Sequence, residues 1–151
     1  MIIEGHFTVP APQEQVWTFL QDLRRVSACV PGAEDVEEIA PDTYRGRLKV
    51  QVGAIRANFE GEVAIVQRQA PSRLVAQVKG RDPRLASTVD ATFEGILEPV
   101  DGQTRLTYKV DLTLRGRIAQ FGRAVIQGTA RKMTQAFAEC LADTLRGENN
   151  R

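Results

Sequence analysis

The sequence predicts an α+β fold in which a curved antiparallel sheet, of about six to seven strands by its turn spacing, wraps a long C-terminal helix. Two short helices follow the first strand. Three observations carry this reading. Apolar residues alternate with polar ones from Tyr44 to Leu114, they recur at steps of three and four from Arg117 to Leu145, and Pro12 opens the one early segment with helical spacing.

The first element spans residues 2 to 9, where Ile3, Gly5, Phe7 and Val9 share one face and Glu4, His6 and Thr8 the other. Pro10 ends it. Pro12 suits a first helical turn, where its missing N–H leaves nothing unpaired, and Val16, Trp17, Leu20 and Leu23 follow at helical spacing, which places short helices at about 12 to 20 and 22 to 29. Pro31 and Gly32 stop the second.

Strand patterns fill the middle of the chain. Tyr44, Gly46, Leu48, Val50 and Val52 face inward, as do Ile55, Ala57, Phe59, Gly61, Val63 and Ile65 on the next strand. Gly46 and Gly61 suggest bends or bulges in a curved sheet. The same period continues through Leu74, Ala76 and Val78, through Val89, Ala91, Phe93 and Leu97, and through Leu106, Tyr108, Val110, Leu112 and Leu114. Short connections at Gly53, Ala70-Pro71-Ser72, Arg81-Asp82-Pro83 and Asp101-Gly102 force antiparallel neighbours in one meander. A sheet wet on one face must cover the other, and only the terminal helix, roughly 40 Å long at about 1.5 Å per residue, reaches across it. A helix-grip arrangement follows, as a single domain over residues 1–146 with a short polar tail at 147–151.

Composition narrows the function classes. Net charge is +1, with 42% apolar and 26% charged residues, and the cations are neither run together nor interleaved with aromatics, which argues against a nucleic-acid binder. No stretch approaches the roughly 18 apolar residues that a membrane crossing needs. No basic region followed by an apolar run opens the chain, so a cytoplasmic protein is expected, at most peripheral to the inner face of the membrane. Cys29 and Cys140 stand far apart without paired spacing, so both thiols are expected to be free and structural. With His6 the only histidine, no metal site can be assembled locally. No cofactor motif is present.

The inward strand phase holds only Tyr44 and Tyr108 as polar side chains. His6, Glu60, Glu62, Asp90, Glu94 and Asp111 take the outward phase, so no catalytic residue is assigned. A hollow between helix and sheet is expected to be lined by Leu48, Val50, Phe59, Val63, Val78, Phe93, Tyr108, Val110, Leu112, Phe121, Val125 and Met133, although each taken singly reads more readily as plain core. Gly122 and Gly128 interrupt the long helix, either leaving volume for a ligand or letting helix and sheet pack closely. No acidic residue occurs between Leu112 and Ala138, so Arg115, Arg117 and Arg123, with Arg131 and Lys132, form either a docking surface for a partner or anionic membrane or a solvated helix face.

Several motifs together resemble the family of the carbon monoxide dehydrogenase G-subunit, within the START-like (SRPBCC) superfamily. They are Phe7-Thr8-Val9-Pro10-Ala11-Pro12, Val16-Trp17, Cys29-Val30-Pro31-Gly32, Tyr44-Arg45-Gly46, Phe59-Glu60-Gly61, Leu97-Glu98-Pro99, Thr104 to Val110 and Ile118-Ala119-Gln120-Phe121-Gly122. The resemblance implies a helix-grip fold with a deep apolar cavity and an accessory role to a molybdenum-containing hydroxylase, and it implies no catalytic residues or cofactor. A hydrophobic small molecule of the lipid or quinone class is then the expected ligand. The alternatives are an adaptor that recruits or helps mature such a hydroxylase, through the basic helix end and the acidic stretch Glu34, Asp35, Glu37 and Glu38, and an enzyme of the polyketide cyclase type. The chain departs from the pattern in Lys79 to Ala86, where relatives often carry a glycine-rich stretch, and in ending without the apolar tail of longer relatives.

Overall fold

The structure, a computed structural model, describes residues 1–150. Strand β1 (Ile2–Val9) leads into helices α1 (Gln13–Gln21) and α2 (Leu23–Ala28). Strands β2 (Ala33–Ala40), β3 (Thr43–Val52), β4 (Ile55–Gln69), β5 (Arg73–Asp82), β6 (Ser87–Val100) and β7 (Gln103–Arg115) follow, and α3 (Arg123–Asn149) closes the chain. The seven strands form one antiparallel sheet in the order β1-β7-β6-β5-β4-β3-β2, so β2 to β7 are a continuous meander and β1 pairs with its last strand. This curved sheet with its long C-terminal helix is the helix-grip fold.

Strand β2, at one edge of the sheet, is the element with the weakest alternation. Val36 stands among Glu34, Asp35, Glu37 and Glu38, and the pairing with β3 slips twice. Its acids are held by β3: Arg47 pairs with Glu34 and Asp35, Arg45 with Glu37 at 3.1 Å, and Lys49 with Glu34 at 3.4 Å. The acidic stretch is therefore a paired edge strand whose acids meet cations of β3. Farther across the outer face, cross-strand rows alternate in sign, with Arg45, Glu62, Lys79 and Asp90 in register, and Glu34, Arg47, Glu60 and Arg81 in the next row. Opposite charges placed across strands stabilise the pairing and leave this face self-neutralised.

Two buried clusters cover the concave side of the sheet, one under α3 and one under the 3-10 turn at Arg117–Phe121. In the first, Leu141 and Leu145 of α3 meet Val9, Val16, Phe19, Leu97 and Leu106, and Thr104 inserts its hydroxyl to donate to the Ala11 carbonyl at 2.8 Å. In the second, near the opposite end of the sheet, Val52, Ala57 and Phe59 surround Ile118.

Three expectations need correction. Cys29 and Cys140 are not free: their Cα atoms lie 5.4 Å apart and a disulfide joins them across 111 residues. Sequence spacing conceals the pairing because the C-cap of α2 and the inner side of α3 meet only through the first cluster. Gly122 is not inside a helix but at the N-cap of α3 with φ +81°, after a separate 3-10 turn at Arg117–Phe121. The helix also runs past its expected end at Leu145, through Gly147 to Asn149, with Arg151 outside the described residues.

Candidate functional site

Between the two clusters lies a cavity of about 300 Å³. Its floor is a row of glycines: Gly46 pairs with Gly61, Gly61 with Gly80, and Gly80 with Val89, all on the concave face of β3 to β6. Three adjacent strands thus present no side chain where the phase demands an inward one, and the missing volume is the hollow. Glycine is also needed for close approach here, because a Cβ on Gly61 would run into the backbone carbonyl of Lys79. The sheet can bend sharply along this row only without side chains.

Apolar groups make the walls. Leu48, Phe59, Val63 and Val78 line them from β3 to β5, Leu23 and Val26 from α2, Val30 from the turn after it, and Ala33 and Val36 from β2. Tyr44 adds its ring. A hydrogen bond to the Glu38 carboxylate, aided by partial burial, pushes the Tyr44 phenol above its ordinary value of 10.0, so it stays neutral near physiological pH. The wall can desolvate an apolar molecule, and Arg45, Arg47, Glu62 and Lys79 also border the space.

Of the twelve cavity residues expected from sequence, Leu48, Phe59, Val63 and Val78 border this space. Val50 and Phe121 pack on the second cluster, and Tyr108 packs on the first, 6.3 Å from the ring of Phe7. Leu112 lies beside Met1, Ala119 and Ile126, with its N–H donating to the Met1 carbonyl. Phe93 and Val110 face each other across β6 and β7, both half-buried, as is Met133 on α3. Val125 is 38% exposed, against the β3–β4 turn at Gly53. The contribution of α2 and β2 went unread because their apolar residues are sparse. Gly80 went unread because β5 runs four residues beyond Val78, its last expected inward position.

Other titratable groups sit away from the cavity. His6, Asp90 and Asp111 are exposed on the outer face. Asp82, read from sequence as part of a turn, is instead a buried strand residue at 1% exposure whose carboxylate accepts from the Asn58 N–H at 2.8 Å and the Arg84 N–H at 3.0 Å. Its oxygens cap a short 3-10 turn. Among the described residues no cluster of metal-ligating side chains occurs, and no helix is long and apolar enough to cross a membrane.

At the far end of the sheet, Arg115, Arg117 and Arg123 are exposed, and none forms an ion pair among the described residues. Gly128 faces open space, since a Cβ there would meet nothing within 4 Å. Close helix-to-sheet packing is therefore not the reason for that glycine.

Solved structures share this architecture. A conserved protein from Geobacillus kaustophilus superposes with a TM-score of 0.90 at 22% identity, over 97% of this chain and 96% of that one. A START superfamily protein from Mycobacterium smegmatis gives 0.74 at 12% identity over 97% of both chains. The Zhui aromatase/cyclase from a Streptomyces species gives 0.66 at 19%, over 95% of this chain and 92% of that one. Identities this low establish a common fold and no common chemistry. No curated protein matches the sequence. Residues 5–146 match the family described as CoxG, the G-subunit of carbon monoxide dehydrogenase, and the chain belongs to that family.

Proposed function

We propose that this protein is a non-catalytic carrier of a hydrophobic small molecule, of the lipid or quinone class, that acts as a cytoplasmic accessory to a molybdenum-containing carbon monoxide dehydrogenase-like hydroxylase. The observation that carries the reading is the glycine-floored cavity of about 300 Å³, at the lower end of the range of small-molecule sites, which is roughly 300–1,000 Å³. Residues such as Leu48, Val63 and Val78 remain only half-buried although they face the concave side, so apolar surface is kept available to a guest. The family supplies the hydroxylase as the partner class.

Denaturing the purified protein and analysing its organic extract by mass spectrometry tests the carrier reading. An apolar compound recovered in stoichiometric amount supports it. An empty extract, together with failure of apolar dyes to bind or to raise the melting temperature, refutes it.

A second reading, recruitment of the hydroxylase to the membrane or help in its maturation, draws on the unpaired Arg115, Arg117 and Arg123. Clustered arginines suit an acidic protein face or anionic lipid.

A further inference from the structure

We infer that the Cys29–Cys140 disulfide is a redox latch on helix α2, and that its reduction frees α2 to swing away from the apolar cavity and speed ligand exchange. The inference rests on the carrier reading above.

Helix α2 is a wall of the cavity, through Leu23, Val26 and Ser27. It is only six residues long, and none of them is fully buried. Asp22, before it, has an extended backbone with φ −100° and ψ 94° and caps its first turn, and Gly32, beyond Pro31, is tied to β3, its carbonyl accepting from the Lys49 N–H at 2.9 Å. A short helix with no fully buried residue belongs to the low-stability end of a structure, where local opening is easiest.

Apart from the bond, α2 is held by packing of Leu23 and Val26 on the first cluster and by contacts of Arg25. Arg25 pairs with Glu148 near the C-terminal end of α3, but both side chains are 35% exposed, and ion pairs of that kind hold weakly. Arg25 also lies over the ring of the buried Phe19 of α1 at 4.7 Å, a second tie of α2 to the first cluster. The strong tie is covalent: Cys29 caps the C-terminus of α2 and bonds Cys140 on α3. It joins the movable wall to the helix whose Leu141 and Leu145 are fully buried. Closed, the bond fixes α2 over the cavity; open, it leaves the exposed ion pair and partial packing.

The chemistry balances with a thiol reductant. A dithiol donates two electrons and two protons, becomes its own disulfide, and leaves Cys29 and Cys140 as thiols. Cys140 retains partial exposure, which gives the reductant an approach. In a reducing compartment disulfides are as a rule transient and sensory, which suits a latch better than a permanent staple.

Stopped-flow fluorescence with the neutral apolar dye N-phenylnaphthylamine tests the latch on the oxidised protein and on protein reduced with a water-soluble phosphine, which takes up oxygen from water as the thiols form. If the latch operates, association and dissociation both accelerate on reduction, by about tenfold or more as expected for a gated site, with little change in equilibrium affinity. Equal rates in the two forms, with the dye bound in both, overturn the latch and leave the carrier reading standing. No binding in either form overturns both. Should reduction abolish the far-UV circular dichroism, a Cys29→Ala/Cys140→Val variant is measured in its place. Loss of fold in that variant too shows the bond to be structural and refutes the latch.

Discussion

Reducing the Cys29–Cys140 bond should lower the melting temperature by an amount set mainly by the chain it spans. The cysteines are 111 residues apart, so the bond closes most of the chain into one loop and removes a large set of conformations from the unfolded ensemble. The loop-entropy relation gives about 4.7 kcal/mol for a loop of roughly 100 residues, and measured costs of removing native disulfides run from about 2 to 5 kcal/mol. A domain of 151 residues has an unfolding entropy of about 0.3 kcal/mol/K near 60 °C, so the expected fall is about 6 to 15 °C. Differential scanning calorimetry of the oxidised protein and of the phosphine-reduced protein, with thiol titration to confirm complete reduction, measures it. A fall below about 3 °C would mean that the two cysteines constrain little of the unfolded chain, and the reasoning from loop length would be wrong.

Other consequences can be checked by single substitutions. Gly61→Ala should cost more than about 2 kcal/mol in urea denaturation, because its Cβ meets the fixed Lys79 carbonyl. Gly46→Ala should cost less, since its nearest obstacle is the movable Val36 Cγ2 at 3.0 Å. Val78→Phe, which fills the cavity from one wall, should weaken apolar dye binding by about tenfold or more while changing stability by less than about 3 kcal/mol; unchanged affinity would move the site elsewhere. Asp42 accepts two hydrogen bonds from Arg68, each at 2.7 Å, and these hold its carboxyl below the ordinary 3.8. A lowered folded value means stability that is present above pH 3.8 and lost as pH falls through the still lower folded value, so Asp42→Asn should flatten the acid limb of a stability–pH curve measured by urea titration. Reversing charge at Arg117 and Arg123 should reduce capture by an acidic partner or anionic vesicles and leave dye binding intact; capture unchanged in both assays counts against that surface.

The fold was legible where periodicity is strong. The inward residues of β3, β4, β6 and β7 keep a period of two because one face of the sheet is wet, and α3 shows steps of three and four because one side is covered. Strand β2 is the counterexample: its acids obey no apolar pattern, and it is a strand because β3 supplies Arg45, Arg47 and Lys49 opposite them. The candidate site was half legible. Val63 and Val78 announce themselves by phase, whereas Leu23 and Val26 belong to a helix too short to show which way it faces.

The order of residues alone thus determined the sheet, the long helix, the apolar character of the concave face and the family. It could do so because those properties depend on local period and on motif, which are written along the chain. Tertiary structure decided three things: the disulfide, the alignment of Gly46, Gly61 and Gly80 into one floor, and the sharing of the cavity between α2 and the sheet. Each depends on residues far apart in sequence arriving side by side, and strand register and helix docking, set by burial over the whole domain, bring them there.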